Sequence, residues 1–510
     1  MKKLLILILS IYSLAAHAQV YDLVVAKDGT GNYTTIQEAI NAAPTGTTRT
    51  TIFVKKGVYN EKVFLGSATV TISKVISLIG ENRDSVVITY ADYNSMVKPY
   101  YTGTSNITYG TPQSATLTVN AADFYMENIT VQNTYLTKQA VAVYNVIDRE
   151  TFKNCRFTGF QDTHYPKKGR RCFYYNTLIE GGTDFICGGG INYFYQCKIK
   201  SVSGGSYITA PEDMTQTVLL STGKTLYYGF IFKDCDLIND GKVTSESVYL
   251  GRPWQNTSGS IFLNCRLGSH IKPLGWYRWA ADTLTVSMAE FQSMNATGTA
   301  LVDVSKREKW SMQLSAADVN AFLKLNTAYA SLGSSTAYDP VSLVVGPASI
   351  SAVVKNGQQL QWTEVSSAKG YVIFANGSAL GFSKSGSFTD TTTRSVIPVY
   401  TVCTVGAHGN LSLPDGQVDG VTASSINDKV NGTVTAIKPV ERATQFPVLQ
   451  QGRLLFELPT DIEIYSLTGQ KVLQSVQKQC VDLSRLAKGI YLIQANDKRN
   501  DFYQTKIYLQ

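Results

Sequence analysis

Short apolar runs broken by polar turns dominate this chain, and few of them carry helical spacing. The runs at 51–54 (TIFV), 75–79 (VISLI), 86–89 (VVIT) and 115–119 (ATLTV) read as strands. A repeat then emerges in Asn154-Cys155-Arg156-Phe157, Gln196-Cys197-Lys198-Ile199, Asp234-Cys235-Asp236-Leu237 and Asn264-Cys265-Arg266-Leu267. In each copy a small Cys and a bulky apolar residue alternate with polar ones, so both point inward from a short strand. Asn128-Ile129-Thr130-Val131 fits the same template upstream, and Thr177-Leu178-Ile179 marks another copy between the first two cysteines. One short strand recurring at irregular intervals of about 20 to 40 residues predicts a parallel β-helix with loops of varying length. In such a solenoid, residues one coil apart stack on the same face. Asp162 follows Cys155 at the same offset as Asp184 follows Thr177, so the repeat places these two carboxylates side by side on adjacent coils.

Helix signals are sparse. At 34–40, Thr35 and Glu38 make a capping box and Ile36, Ala39 and Ile40 make one apolar face, predicting a short helix that plugs the open end of the solenoid. The stretch Gly57-Val58-Tyr59-Asn60-Glu61 reads as a turn carrying an aromatic and an acid. Helical spacing returns at 288–294 and at 315–325, where Ser315 can cap with Asp318. From about Tyr338 the character changes to short alternating strands around Leu360-Gln361-Trp362, 370–374 and 400–405, a layout that resembles a fibronectin type III sandwich acting as a spacer. Residues 424–446 are polar without a strong period and read as a linker.

The closing segment reads by pattern as one more small β domain. Its pieces Leu467-Thr468-Gly469 between strands and Ser484-Arg485-Leu486-Ala487-Lys488-Gly489-Ile490-Tyr491 resemble the C-terminal sorting domain of the type IX secretion system. That resemblance implies recognition by the secretion machinery, passage across an outer membrane and removal of the domain. The chain therefore divides into a signal peptide (1–18), a parallel β-helix (19–338), a fibronectin-like sandwich (339–423), a linker (424–446) and a C-terminal β domain (447–510). The fold class is all-β.

Composition adjusts this picture only modestly. Met1-Lys2-Lys3, an apolar run and Ala16-His17-Ala18 form an export signal too short to span a membrane, and no later run is long enough to insert stably. With 30 Tyr, 40 Gly and 16% charged residues, the chain suits a secreted all-β protein, soluble and monomeric. The net charge of +8 is scattered rather than clustered, which argues against a nucleic-acid partner. Export permits disulfides, yet eight cysteines in 510 residues make no framework. Those heading the repeats read as stacked, buried thiols, while Cys172 or Cys187 could pair with Cys197. No Cys or His spacing resembles a metal site.

Two facing carboxylates can divide labour, one holding a proton while the other attacks. Gln139, one coil before Asp162, and Gln161, beside it, can donate hydrogen bonds to a developing oxyanion. Arg252 can hold one carboxylate ionised through a bidentate bond, and Trp254 offers a face for a sugar ring. The blocks GVYNE (57–61), QAVAV (139–143), GFQDTHY (159–165), GGTDFICGGG (181–190) and YLGRPW (249–254), in this order, resemble the pectin methylesterase (pectinesterase) family from about Asp22 to Leu325.

The resemblance implies a right-handed parallel β-helix, hydrolysis of galacturonate methyl esters in pectin, and no metal or cofactor. It implies Asp184 as nucleophile, Asp162 as general acid and then base, Gln139 and Gln161 at the oxyanion, and Arg252 holding Asp184. Trp254, Phe160, Tyr165 and Phe185 would bind substrate. His164 stands where the family usually has Leu and could alter the pH optimum, Cys187 replaces a Phe, and Gly189-Gly190 replaces a bulkier pair. The Tyr-rich insertion at 90–110 could reshape the cleft wall, and Trp276 and Trp279 are split evenly between cleft and core.

Rival readings fare worse. No G-x-S-x-G is present, and only His164 and His270 lie in this region, so a serine hydrolase is poorly supported. A calcium-dependent lyase wants clustered acids for the ion, a glycosidase would also use two carboxylates, and a purely binding β-helix would lack one of the site residues.

Overall fold

Three parallel sheets, built from strands contributed by successive coils, form the walls of the solenoid. The computed structural model describes residues 20–509 except 68, 99–106, 280–284, 395, 416, 418–421, 435–447, 451–452, 467–469, 484–485, 487–488 and 498–501. The expected signal peptide, most of the expected linker and the LTG piece lie outside the described residues. Among the described residues the walls hold 11, 9 and 7 strands, all paired parallel to their neighbours one coil away. Parallel crossovers of this kind wind right-handed, so the chain is a right-handed parallel β-helix.

The repeat seen in the sequence acquires a sharper meaning here. Its polar first member is a corner rather than part of a strand: Asn128, Asn154, Asn176, Gln196, Asp234 and Asn264 all have φ between 49° and 59°. Short polar side chains tolerate this left-handed conformation, and it turns the chain from one wall to the next. The residue that follows each corner points inward. Cys155, Cys197, Cys235 and Cys265 are buried free thiols, each donating to a carbonyl of the preceding coil, at 3.4 Å from Cys155 to Met126 O and 3.4 Å from Cys235 to Phe194 O. Cys172 and Cys187 are also free, so neither pairs with Cys197. Behind the thiols runs an aromatic ladder, Phe152–Tyr174–Phe194–Phe232–Phe262, with stacked rings 4.4 to 5.2 Å apart.

Helix α1 (Ile36–Ala42) covers the open end as expected, with Thr35 Oγ1 accepting from Glu38 N and Ile36, Ala39 and Ile40 buried in the solenoid core. Residues 57–60 are a strand, not a turn; Glu61 beyond it accepts the Ile36 and Gln37 amides and so serves as a second cap for α1. The helix expected at 288–294 is also absent. Ser287–Phe291 and Met294–Asn295 are strands on two walls, separated by a corner at Gln292 (φ 49°) that resets the spacing. Helix α2 (Ala316–Phe322) has the expected Ser315/Asp318 capping box.

Residues 354–405 supply two three-stranded sheets, with Trp362 against Tyr371 at 5.2 Å. This piece belongs to the same compact unit as the solenoid (residues 1–296 and 302–436). Val372, Phe374, Cys403 and Val405 share one apolar cluster with Tyr21, Phe53 and Tyr125 on the solenoid's outer wall. The region expected to be a linker begins as a helix, Ala423–Val430, whose Ile426 and Val430 join that cluster. Its period was masked in the sequence because only two apolar residues on one face do the packing. The second unit (297–301 and 437–510) holds a five-stranded antiparallel sheet around Leu454, Ile462, Ile464 and Ile493.

Candidate active site

The seven-stranded wall positions the site. In chain order its strands are β1 (Val63–Leu65), β2 (Leu117–Val119), β3 (Val143–Asn145), β4 (His164–Pro166), β5 (Thr183–Gly188), β6 (Tyr207–Pro211) and β7 (Tyr249–Gly251). Just before β3 and β4, Gln139 bridges Gln161, which in turn bridges Thr183 at the start of β5. Asp162 and Asp184 therefore hold equivalent places on adjacent coils, and Asp162 N donates to Thr183 O at 3.2 Å. Both aspartates adopt the left-handed conformation, φ 60° and 49°. The β5–β6 register also slips between Thr183 and Ile186. The left-handed φ is shared with the coil corners, whereas the slipped register is particular to this wall and re-aims the side chains beside Asp184.

Both carboxylates are nearly enclosed, Asp162 at 5% and Asp184 at 4% exposure. Arg252, just beyond β7, grips Asp184 through two parallel bonds, Nε to Oδ1 at 2.9 Å and Nη2 to Oδ2 at 2.6 Å. The guanidinium is itself sandwiched, its carbon 4.0 Å from the Tyr207 ring and 4.0 Å from that of Trp279. Burial raises the Asp184 carboxyl above its usual range, with the Arg252 fork pulling against it. Among the described residues no cation bonds Asp162, which Arg252 influences only through its charge. Burial first, and the Asp184 charge second, push it up to about 7, with a hydrogen bond from Gln139 opposing them. The pair is thus unequal: one acid faces a fixed cation, the other is poised to carry a proton near neutrality.

An aromatic rim surrounds the pair. Trp254 is 38% exposed, and its ring lies 6.3 Å from that of Tyr165, which in turn meets Tyr144 at 5.4 Å. Gly188 leaves room for this wall: at φ 93°, a Cβ there would come within 2.5 Å of the Tyr165 ring. Phe160 is half-buried over Gly182. Phe185 is elsewhere. Adjacent strand residues face opposite ways, so with Asp184 in the cleft Phe185 is fully buried in the core and cannot meet a sugar. Trp276 is likewise core, whereas Trp279 is 41% exposed beside Arg252. Tyr207 went unnoticed in the sequence, since one Tyr among 30 carries no signal until the coils align it with Arg252.

His164 does not reach the cleft. It is fully buried, with Nε2 2.8 Å from Asn145 Oδ1 and 2.9 Å from the Tyr174 hydroxyl, and burial lowers its pKa to about 3. It stays neutral wherever the aspartates titrate. We expect His164→Leu to lower thermal stability by about 1–3 kcal/mol through the Asn145 Oδ1 left without its partner, while the Tyr174 hydroxyl keeps Asn192 Oδ1 at 3.3 Å, and to leave the pH–rate profile of the protein unmoved.

Comparison with known proteins follows the same lines. The pectinesterase family model matches residues 22–328, and the secretion system C-terminal sorting domain matches residues 448–510. The chain is 34% identical over 305 residues to probable pectinesterase/pectinesterase inhibitor 6 of Arabidopsis thaliana, covering 57% of this chain and 48% of that protein. It is 33% identical over 300 residues to pectinesterase 2.2 of Solanum lycopersicum, covering 56% and 50%. The chain spans about half the length of the curated relatives it matches. Pectin methylesterase from carrot superposes with a TM-score of 0.51 at 26% identity, over 62% of this chain and 98% of that one. The sorting domain marks the protein for type IX secretion, to the cell surface or beyond it. With a match that runs from the first coils past α2, and a solenoid wall that brings the sequence's two acids into register, the chain belongs to the pectinesterase family.

Proposed function

We propose that this protein hydrolyses methyl esters of galacturonate units in pectin, releasing methanol and de-esterified polymer. The observation that carries the reading is the unequal pair: Asp184 gripped by Arg252, and Asp162 at the matching place one coil earlier with its carboxyl near neutrality. Asp184, held ionised, attacks the ester carbonyl. The carbonyl oxygen takes up the negative charge, facing the amides of Gln139 and Gln161. As the bond to the methoxy oxygen breaks, Asp162 gives that oxygen its proton and methanol leaves, with the acyl group now on Asp184. A water then loses its proton to Asp162 and attacks the acyl carbon, freeing the galacturonate carboxylate and restoring both acids. Trp254, Tyr165 and Phe160 would line the path of the polysaccharide.

The test is methanol release from pectins of differing esterification, together with its pH dependence. Asp162 must be protonated for the first step. Its carboxyl titrates near 7, so kcat/KM for a step limited by acylation should be high below that pH and fall as pH rises through it. Release of unsaturated or shortened oligosaccharides without methanol would point to a lyase or glycosidase instead.

A further inference from the structure

The donor end of the Gln139 amide is not free to choose its direction. Its oxygen receives two hydrogen bonds, from Asn94 Nδ2 at 2.6 Å and from the Thr111 hydroxyl at 3.0 Å. Both lone pairs of that oxygen are therefore engaged, and the NH2 group is left to face Asp162. Thr111 alone could not enforce this, because a hydroxyl donates and accepts equally well. Asn94 is tightly placed: its amide N–H donates to Gln139 O at 2.9 Å, and its own Oδ1 lies 3.4 Å from the Ser95 hydroxyl. Asp92 anchors the segment through a buried ion pair with Lys62 at 2.6 Å and through its carbonyl, which accepts from Asn133 at 2.9 Å. The reverse arrangement, with both amides flipped, would set the Gln139 oxygen against the Asp162 carboxylate, acceptor against acceptor.

We infer that Asn94 is a positioning residue for ester hydrolysis, acting through Gln139 by fixing which end of that amide faces the reacting centre. This rests on the hydrolytic reading above. It gives the first residues of the insertion expected at 90–110 a specific task that the sequence did not disclose; its residues 99–106 lie outside the described residues. Asn94 touches neither the substrate nor the reacting atoms.

Asn94→Asp is the decisive change, because it keeps the shape but offers only acceptors. The Gln139 amide should turn its NH2 toward the new carboxylate and its oxygen toward the site. The expected result is a fall in kcat of about 100-fold, the scale of losing one oxyanion donor, with KM within about threefold and Tm unchanged. The alkaline limb should also move to higher pH. Asp162 faces Asp184, Arg252, Cys187, Tyr165 and Gln139, and it would lose the Gln139 bond that favours its ionised form. The added charge alone could also move that limb, so the same substitution is made in a Gln139→Ala background. There Asn94→Asp should change kcat by less than about threefold. Asn94→Ala, run through the same cycle, covers the case in which the charged variant does not fold; it should lose activity alone and little in the Gln139→Ala background. Wild-type kcat in Asn94→Asp, or an equal loss with and without Gln139, would overturn the inference. Failure of the wild-type protein to release methanol would instead strike the hydrolytic reading itself.

Discussion

Asp184→Asn should abolish methanol release, lowering kcat by on the order of 1,000-fold or more, while the fold is retained at a modestly lower melting temperature. The size follows from the chemistry: an amide at this place has no lone pair able to form the acyl bond, and groups that act as a unit leave little behind when one is removed. The stability change is the balance of two opposed effects of burial. Asp184 is 4% exposed and its carboxyl is raised by desolvation, so the folded state bears a cost for its charge that the neutral amide avoids. Against that, the largely buried Arg252 fork loses its anion, the same pair broken from the other side in Arg252→Met, and this outweighs the relief. Circular dichroism and calorimetry on the same preparation separate loss of the nucleophile from loss of the fold. Retained turnover would transfer the nucleophile's role elsewhere.

Arg252→Met is the second large effect, and it acts by leaving a buried carboxylate without its cation. Breaking one side of a buried pair costs about 3–5 kcal/mol, here divided between fold stability and the ionisation of Asp184. With the fork gone, burial raises the Asp184 carboxyl unopposed. Asp184, as the proposed nucleophile, is then ionised only at higher pH, so the acid limb of the kcat/KM profile should move upward. Activity at mildly acidic pH should fall about 100-fold or more and recover in part as pH rises. Arg252→Lys should restore the charge without the two-pronged grip, or the flat stacking between Tyr207 and Trp279, and so recover only part of the loss. An acid limb that stays in place in Arg252→Met would separate Arg252 from Asp184 in function.

What the sequence disclosed and what it concealed divides along one physical line. Whatever repeats once per coil was legible: the thiols, the apolar partner two residues on, and through them the shared register of Asp162 and Asp184. Local capping was legible too, since Thr35 with Glu38 and Ser315 with Asp318 act within one turn of helix. Features set by how distant coils meet were not. Glu61 caps a helix 25 positions away, which made its neighbourhood look like a turn. Phe185, which the family resemblance put at the substrate, is sent inward by strand alternation. Met288 and Met294 mimicked helical spacing because a corner lies between them. Tyr207 and Asn94 reach their partners only across coils, and no spacing rule applied along the chain could have singled them out; Trp279 was named, but its place beside Arg252 was not legible.

The column of reduced sulfurs inside the solenoid has a practical consequence for how the protein can be watched. Burial holds the Cys155 thiol up at about 12 and shields its neighbours Cys197, Cys235 and Cys265, so none presents a reactive thiolate to solvent while the coils stay closed. An alkylating reagent can reach them only when coils part. The rate at which each sulfur is labelled is then a local clock of opening, read one rung at a time along the axis.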